Sequence, residues 1–115
     1  MNCLIAERVV TPVRPKVLFA VLTRDRPQML RRCLASVADL EAPSDTDVQL
    51  LVVDNGSAPA VLDANREAVG EAVGPFSAGL VVESRPGIPA ARNRALDEAS
   101  SVQAVALVFL DDDQT

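Results

Sequence analysis

Three consecutive acids, Asp111, Asp112 and Asp113, follow an unbroken run of seven apolar residues, Ala104 to Leu110. Carboxylates crowded in this way repel one another unless a cation sits among them. The chain has no His, and its two cysteines, Cys3 and Cys33, lack the paired spacing of a metal site. Any metal must therefore rely on oxygen ligands, which suits Mg²⁺ or Mn²⁺. The other reading of the acids is a solvated turn, and the triplet alone does not separate the two. Asp54, in the turn sequence DNGS, could accept hydrogen bonds from a base or ribose, or could cap its own turn. Arg92, in the segment AARNRAL, could pair with a diphosphate, or could sit in a surface ion pair.

The elements that must position these residues are legible in order. Residues 1–15, with Pro12 and Pro15 and little periodicity, read as an N-terminal tail. Lys16–Thr23, KVLFAVLT, is nearly all apolar and reads as a buried strand. TRDRP follows, and Pro27 suits the first turn of a helix running to about Leu40. Its apolar pattern is Met29, Leu30, Cys33, Leu34 and Val37, with Arg31, Arg32 and Ser36 on the wet face. Val48–Val53 is the next strand, ending in DNGS. Pro59 opens a helix through Val61, Leu62, Ala68 and Val69 to about Gly70, and Gly79–Glu83 is a short strand turned by Arg85-Pro86-Gly87. Pro89 opens a third helix with Ala90, Ala91, Ala95 and Leu96 as its packing residues. The last apolar run, Ala104–Leu110, reads as a strand buried on both faces.

Strands alternating with helix-length connections predict an α/β fold with a parallel sheet and right-handed crossovers. Each strand ends in polar, turn-forming residues: TRDRP, DNGS, ESRPG and DDD. In a parallel sheet these ends share one edge, where ligands of open α/β folds bind. Two of the turns lead into helix N-termini, whose unpaired N–H groups attract phosphate. Taken together, Asp54, Arg92 and the acid triplet favour a nucleoside-diphosphate site.

Composition narrows the classes. Hydrophobic residues make up 49%, too many for a disordered chain. Aromatics make up 3%, with no Trp or Tyr, so a stacking platform for bases or sugars is nearly absent. A net charge of −5 argues against nucleic acid as a main partner. The charge is uneven: residues 1–38 carry +5 and residues 39–115 carry −10, so a basic first third could face phosphate while the acids face metal. No signal peptide or transmembrane run is evident, and the expected location is cytoplasmic.

In this order, VLTRDRPQMLRRCLASV, LLVVDNGSAP, RPGIPAARNRALDEA and LVFLDDD resemble the nucleotide-binding half of a family 2 glycosyltransferase of the GT-A fold. Each motif is weak alone; four in the right order are specific, and they span residues 16 to 113. The resemblance implies a Rossmann-like GT-A domain over residues 16–115, truncated after the DxD motif. It implies that Thr23, Arg24, Asp25 and Arg26 line the base pocket and that Asp54 hydrogen-bonds the base. Arg92 and Asn93 would lie near the base and phosphates. Asp111 would lie near the ribose, Asp112 would be positional, and Asp113 would be the metal ligand. The family usually has an aromatic and an Asn where this chain has Arg24 and Asp25, which leaves the base open. The implied partner is a nucleotide-diphosphate sugar donor, with Mn²⁺ or Mg²⁺ as cofactor and inverting transfer to an acceptor hydroxyl.

The family's catalytic base and acceptor region follow the DxD motif, so the 115 residues are expected to be a donor-binding half, inactive alone. The final strand would then have an open outer edge prone to self-association. Two other readings remain at this point. FLDDDQT, Asp111–Thr115 in particular, also resembles the first motif of haloacid dehalogenase-like phosphatases, with Asp111 as nucleophile and Asp113 as acid/base. Alternatively, the chain is a non-catalytic nucleotide-binding fragment.

Overall fold

The computed structural model describes residues 15–39, 45–71 and 77–111. Four strands and three helices alternate along them: β1 (Lys16–Thr23), α1 (Pro27–Ala38), β2 (Asp47–Asp54), α2 (Pro59–Glu71), β3 (Ser77–Val82), α3 (Ile88–Ser101) and β4 (Ala106–Asp111). The strands form one parallel sheet in the order β3-β2-β1-β4. The chain steps outward from β1 to β2 to β3, then returns across the sheet to place β4 on the other side of β1. Because βαβ crossovers are right-handed, this reversal puts α1 and α2 on one face and α3 on the other. The result is the Rossmann-like α/β architecture expected from the sequence.

Each face has its own core. On one, Leu30, Cys33, Leu34 and Val37 of α1 and Ala68 and Val69 of α2 pack on Val21, Leu50 and Val52. On the other, Ala91, Ala95 and Ala99 of α3 pack on Leu18, Ala20, Leu51 and Val53. The three alanines recur every fourth residue and so lie on one side of α3, where short side chains let the helix approach the sheet closely. β1 and β2 are buried on both sides because each has two strand neighbours and a helix layer above and below. Cys33 is a core residue, 4% exposed.

Three expectations are corrected. β4 is not buried on both faces: it has one strand neighbour among the described residues, Val108 and Phe109 are 40% and 36% exposed, and Val105, just before it, is 70% exposed. The strand begins at Ala106, two residues later than the apolar run suggests. Met29 and Leu96 are exposed rather than core. Leu96 follows Ala95 by one residue, a rotation of about 100° that takes it off the packed side of α3. Residues 1–14, which hold most of the expected tail, lie outside the described residues, as do Asp112, Asp113, Gln114 and Thr115. Among the described residues no helix is long and apolar enough to cross a membrane.

Candidate functional site

Register brings the strand ends together. Thr23 pairs with Asp54, Asp54 with Val82, and Leu22 with Asp111. The buried polar residues gather at this edge: Thr23, Asp54, Asn55 and Glu83 lie at or just past strand ends, and Asn65 reaches Asp54 from α2. Buried polar groups persist where they are hydrogen-bonded, and here the bonds tie one strand-end turn to the next.

Asp25 links the first turn to the second. Its N–H donates to Ser57 Oγ at 2.9 Å, and its Oδ1 accepts the Ala58 N–H at 2.9 Å, just before α2 begins at Pro59. It does so with a positive φ of 53°, a conformation that Asp tolerates better than most residues. Asp54 is fully buried. Its Oδ1 accepts the Ser57 N–H at 2.8 Å and its Oδ2 accepts Asn65 Nδ2 at 2.8 Å. The turn-capping role considered for Asp54 in the sequence is thus present.

The third turn is closed by Glu83 and Arg85. Glu83 Oε2 accepts from Arg85 N at 2.9 Å and from Nε at 3.0 Å, while Oε1 accepts from Nη2 at 3.1 Å. The side-chain and backbone hydrogen bonds from Arg85 hold the Glu83 carboxyl at about 2, below its ordinary 4.5, against the opposing effect of burial. The same contact pushes the Arg85 guanidinium further up. Arg94, the seventh residue of α3, donates Nη1 to Val82 O at 2.9 Å and Nε to Glu98 at 3.1 Å.

Between β1 and β4, where strand order reverses, lies a cleft of about 550 Å³ lined by Leu22, Arg24, Arg26, Asn55, Arg92 and Phe109, with Gly87 and Ile88 at the start of α3. Ligands of open α/β sheets bind at this kind of switch point, and the volume is that of a small-molecule site. Arg92 lies over the Phe109 ring, its guanidinium carbon 5.2 Å from the centroid. This is a cation–π pair. The N-terminus of α3 has Gly87 at its cap, with no side chain satisfying the first-turn N–H groups. Three arginines and no acid are among the described lining residues, and Arg24 Nε lies 4.0 Å from Asp25 Oδ2. A second hollow of about 320 Å³, between α3 and strands β2 and β3, has Glu98 as its ionisable lining residue and no cationic side chain in its lining.

Of the residues expected to act together, Arg24, Arg26 and Arg92 share the cleft. Asp54 does not line it, and neither do Thr23, Asp25 and Asn93; Asn93 is exposed on α3. Asp111 ends β4 beside Leu22, which does line the cleft. Asp112 and Asp113 follow it outside the described residues. Among the described residues no group of three metal-ligating side chains gathers. Sequence reasoning missed Asn55 and Phe109. A polar residue directly after a strand-end acid and an aromatic at the end of an edge strand were the available signals.

No curated protein matches the chain at a significant level. The family model of glycosyl transferase family 2 matches residues 19–115, from within β1 to Thr115, two residues past the acid triplet. A match over that much of the chain, on a four-stranded parallel sheet of the Rossmann-like GT-A kind, shows that the chain belongs to glycosyl transferase family 2.

Proposed function

We propose that this chain binds the nucleotide-diphosphate sugar donor of a glycosyltransferase, for transfer of the sugar to an acceptor hydroxyl with inversion. The observation that carries the reading is the cleft at the β1/β4 switch point, with three guanidinium groups, an uncapped helix N-terminus and no lining carboxylate among the described residues. Diphosphate oxygens suit that wall: guanidinium forks pair with them, and unpaired N–H groups at the start of α3 point toward anions. Arg92, placed over the Phe109 ring, is the group assigned to the leaving diphosphate. Arg24 and Arg26 are assigned to the base and ribose side of the cleft, with Thr23 and Asp25 shaping their loop. Asp54 holds the β2 turn beneath them, and Asn93 remains a candidate near the phosphates.

The acids after β4 have the right chemistry for a hard divalent cation, being oxygen donors at the end of the strand beside the cleft. Asp113 would hold Mn²⁺ or Mg²⁺, with Asp111 toward the ribose and Asp112 positional; when bound, the cation would neutralise charge on the departing diphosphate. The reading assigns no catalytic base within these 115 residues. The phosphatase alternative needs its apolar strand and acids to open the domain, whereas β4 is the fourth strand and stands at the sheet edge. That scheme also leaves the three guanidiniums without a role.

Titration with UDP compares the wild-type chain with Arg92→Glu. A charge-assisted hydrogen bond contributes about 1.5–3 kcal/mol, so a loss of about tenfold or more is expected. Equal affinity in the two proteins would overturn the assignment of the cleft.

A further inference from the structure

The turn that launches α3, residues 83–87, is held from outside by one side chain. Asn55 is 8% exposed and follows the last residue of β2. Its Nδ2 donates to Glu83 O at 3.0 Å and to Arg85 O at 2.7 Å, and its Oδ1 accepts the Gly87 N–H at 3.0 Å. A carboxamide is the side chain that can do this, since it carries two donors and an acceptor on one planar group; a carboxylate offers acceptors alone. From within the turn, Glu83 clamps Arg85 through three further bonds. Gly87 then takes a φ of 105°, which a side chain would strain, and serves as the cap residue of α3. The position of Gly87 decides where the helix starts and therefore where its first N–H groups and Arg92 stand. Asn55, Gly87 and Arg92 all line the cleft.

We infer that Asn55 is a positioning residue: its carboxamide locks the 83–87 turn and so sets the N-terminus of α3 and the Arg92 guanidinium against the cleft. For its ligand, though not for its geometry, this inference rests on the nucleotide reading above.

Asn55→Asp tests it at nearly constant shape. An ionised carboxylate at position 55 faces the carbonyls of Glu83 and Arg85 with no donor, and the turn is released. Protonation returns one donor. The charged residues that share the cleft lining with Asn55 are Arg24 and Arg26 of the β1–α1 loop and Arg92 of α3, and the turn whose backbone carbonyls it bonds carries Glu83 and Arg85. The arginines keep their charge, and Glu83, held at about 2, stays ionised above pH 5. Two measurements are made on wild type and variant at pH 8 and pH 5.5: exchange protection of the Gly87 amide, and affinity for UDP expressed as the variant-to-wild-type ratio, which cancels titration of the nucleotide itself. The variant is expected to lose Gly87 protection and UDP affinity by at least tenfold at pH 8 and at pH 5.5 alike, because an Asp carboxyl ordinarily titrates at about 3.9 and neighbouring arginines lower it further. Denaturant unfolding confirms that both proteins are folded under these conditions, and Asn55→Ser serves as a shorter, uncharged variant should Asn55→Asp fail to fold. Unchanged Gly87 protection would overturn the inference whatever the affinity. Lost protection together with no UDP binding by wild type would support the lock and overturn the nucleotide reading instead.

Discussion

Replacing Asp54 by Ala removes the acceptor of two hydrogen bonds at a fully buried position. The Ser57 N–H loses its partner in the turn. The Asn65 amide fares worse, because Asn65 is itself 0% exposed and its Oδ1 already has no partner, so the whole side chain is orphaned. Each bond to a carboxylate contributes about 1.5–3 kcal/mol, and an unpaired buried group carries a similar penalty. Two neighbouring losses are not additive, so the combined destabilisation is about 3–5 kcal/mol, a large part of the roughly 5–15 kcal/mol that holds a domain together. Asp54→Asn should behave differently. Its oxygen keeps the Ser57 bond, and rotation of the Asn65 amide by half a turn presents the idle Oδ1 to the new Nδ2. The remaining loss is charge assistance, about 1 kcal/mol. Urea unfolding measures both variants, as a shift in midpoint at constant slope. An Asp54→Ala protein within about 1 kcal/mol of wild type, or an Asp54→Asn protein as damaged as Asp54→Ala, would refute this account. Lost UDP affinity with intact stability would instead return Asp54 to the base pocket.

Three further outcomes are expected. Glu83 titrates at about 2 in the folded chain, below the ordinary 4.5, so its contribution to stability is complete above about pH 4.5 and fades as pH falls toward 2. Unfolding midpoints measured across that range should fall for wild type and fall less for Glu83→Gln; parallel profiles would contradict the Arg85 contact. With Val105, Val108 and Phe109 exposed and one side of β4 without a neighbouring strand among the described residues, the 115-residue chain should self-associate with rising concentration in size-exclusion chromatography with light scattering. A monodisperse monomer throughout would refute that. In metal-assisted nucleotide binding, Asp113→Asn should lose about 1.5–3 kcal/mol and Asp112→Asn less; the reverse order would show that the ligand within the triplet is misassigned.

Much of the architecture is legible because it rests on local signals. β1 runs from Lys16 to Thr23 as its apolar stretch predicts, and Pro27 and Pro59 open α1 and α2 where the ring costs no hydrogen bond. Polar strand ends in an alternating pattern correctly predict that the turns after the strands share one edge of the sheet. What was not legible depends on neighbours. The run Ala104–Leu110 has the composition of a central strand, and nothing local says that it has one partner rather than two. Met29 and Leu96 fit helical apolar patterns, but the width of the covered stripe is set by the sheet beneath. Within the site, Asp54 has the residue type of a ligand and caps its own turn, and its bond from Asn65, eleven residues away in α2, was not legible from the turn sequence. Asn55 looks like an ordinary turn residue, and its three bonds to the 83–87 turn span about thirty residues of chain. Phe109 matters because α3 crosses β4 where Arg92 can cover it.

The central claim is a nucleoside-diphosphate site completed by a cation at the acids after β4. Calorimetric titration of the chain with UDP, GDP and dTDP, with and without Mn²⁺, tests it most directly. The account predicts that at least one of the three binds, and binds at least tenfold tighter with the metal, a difference of about 1.4 kcal/mol. Equal affinity with and without Mn²⁺, or no binding of any of the three, would contradict it.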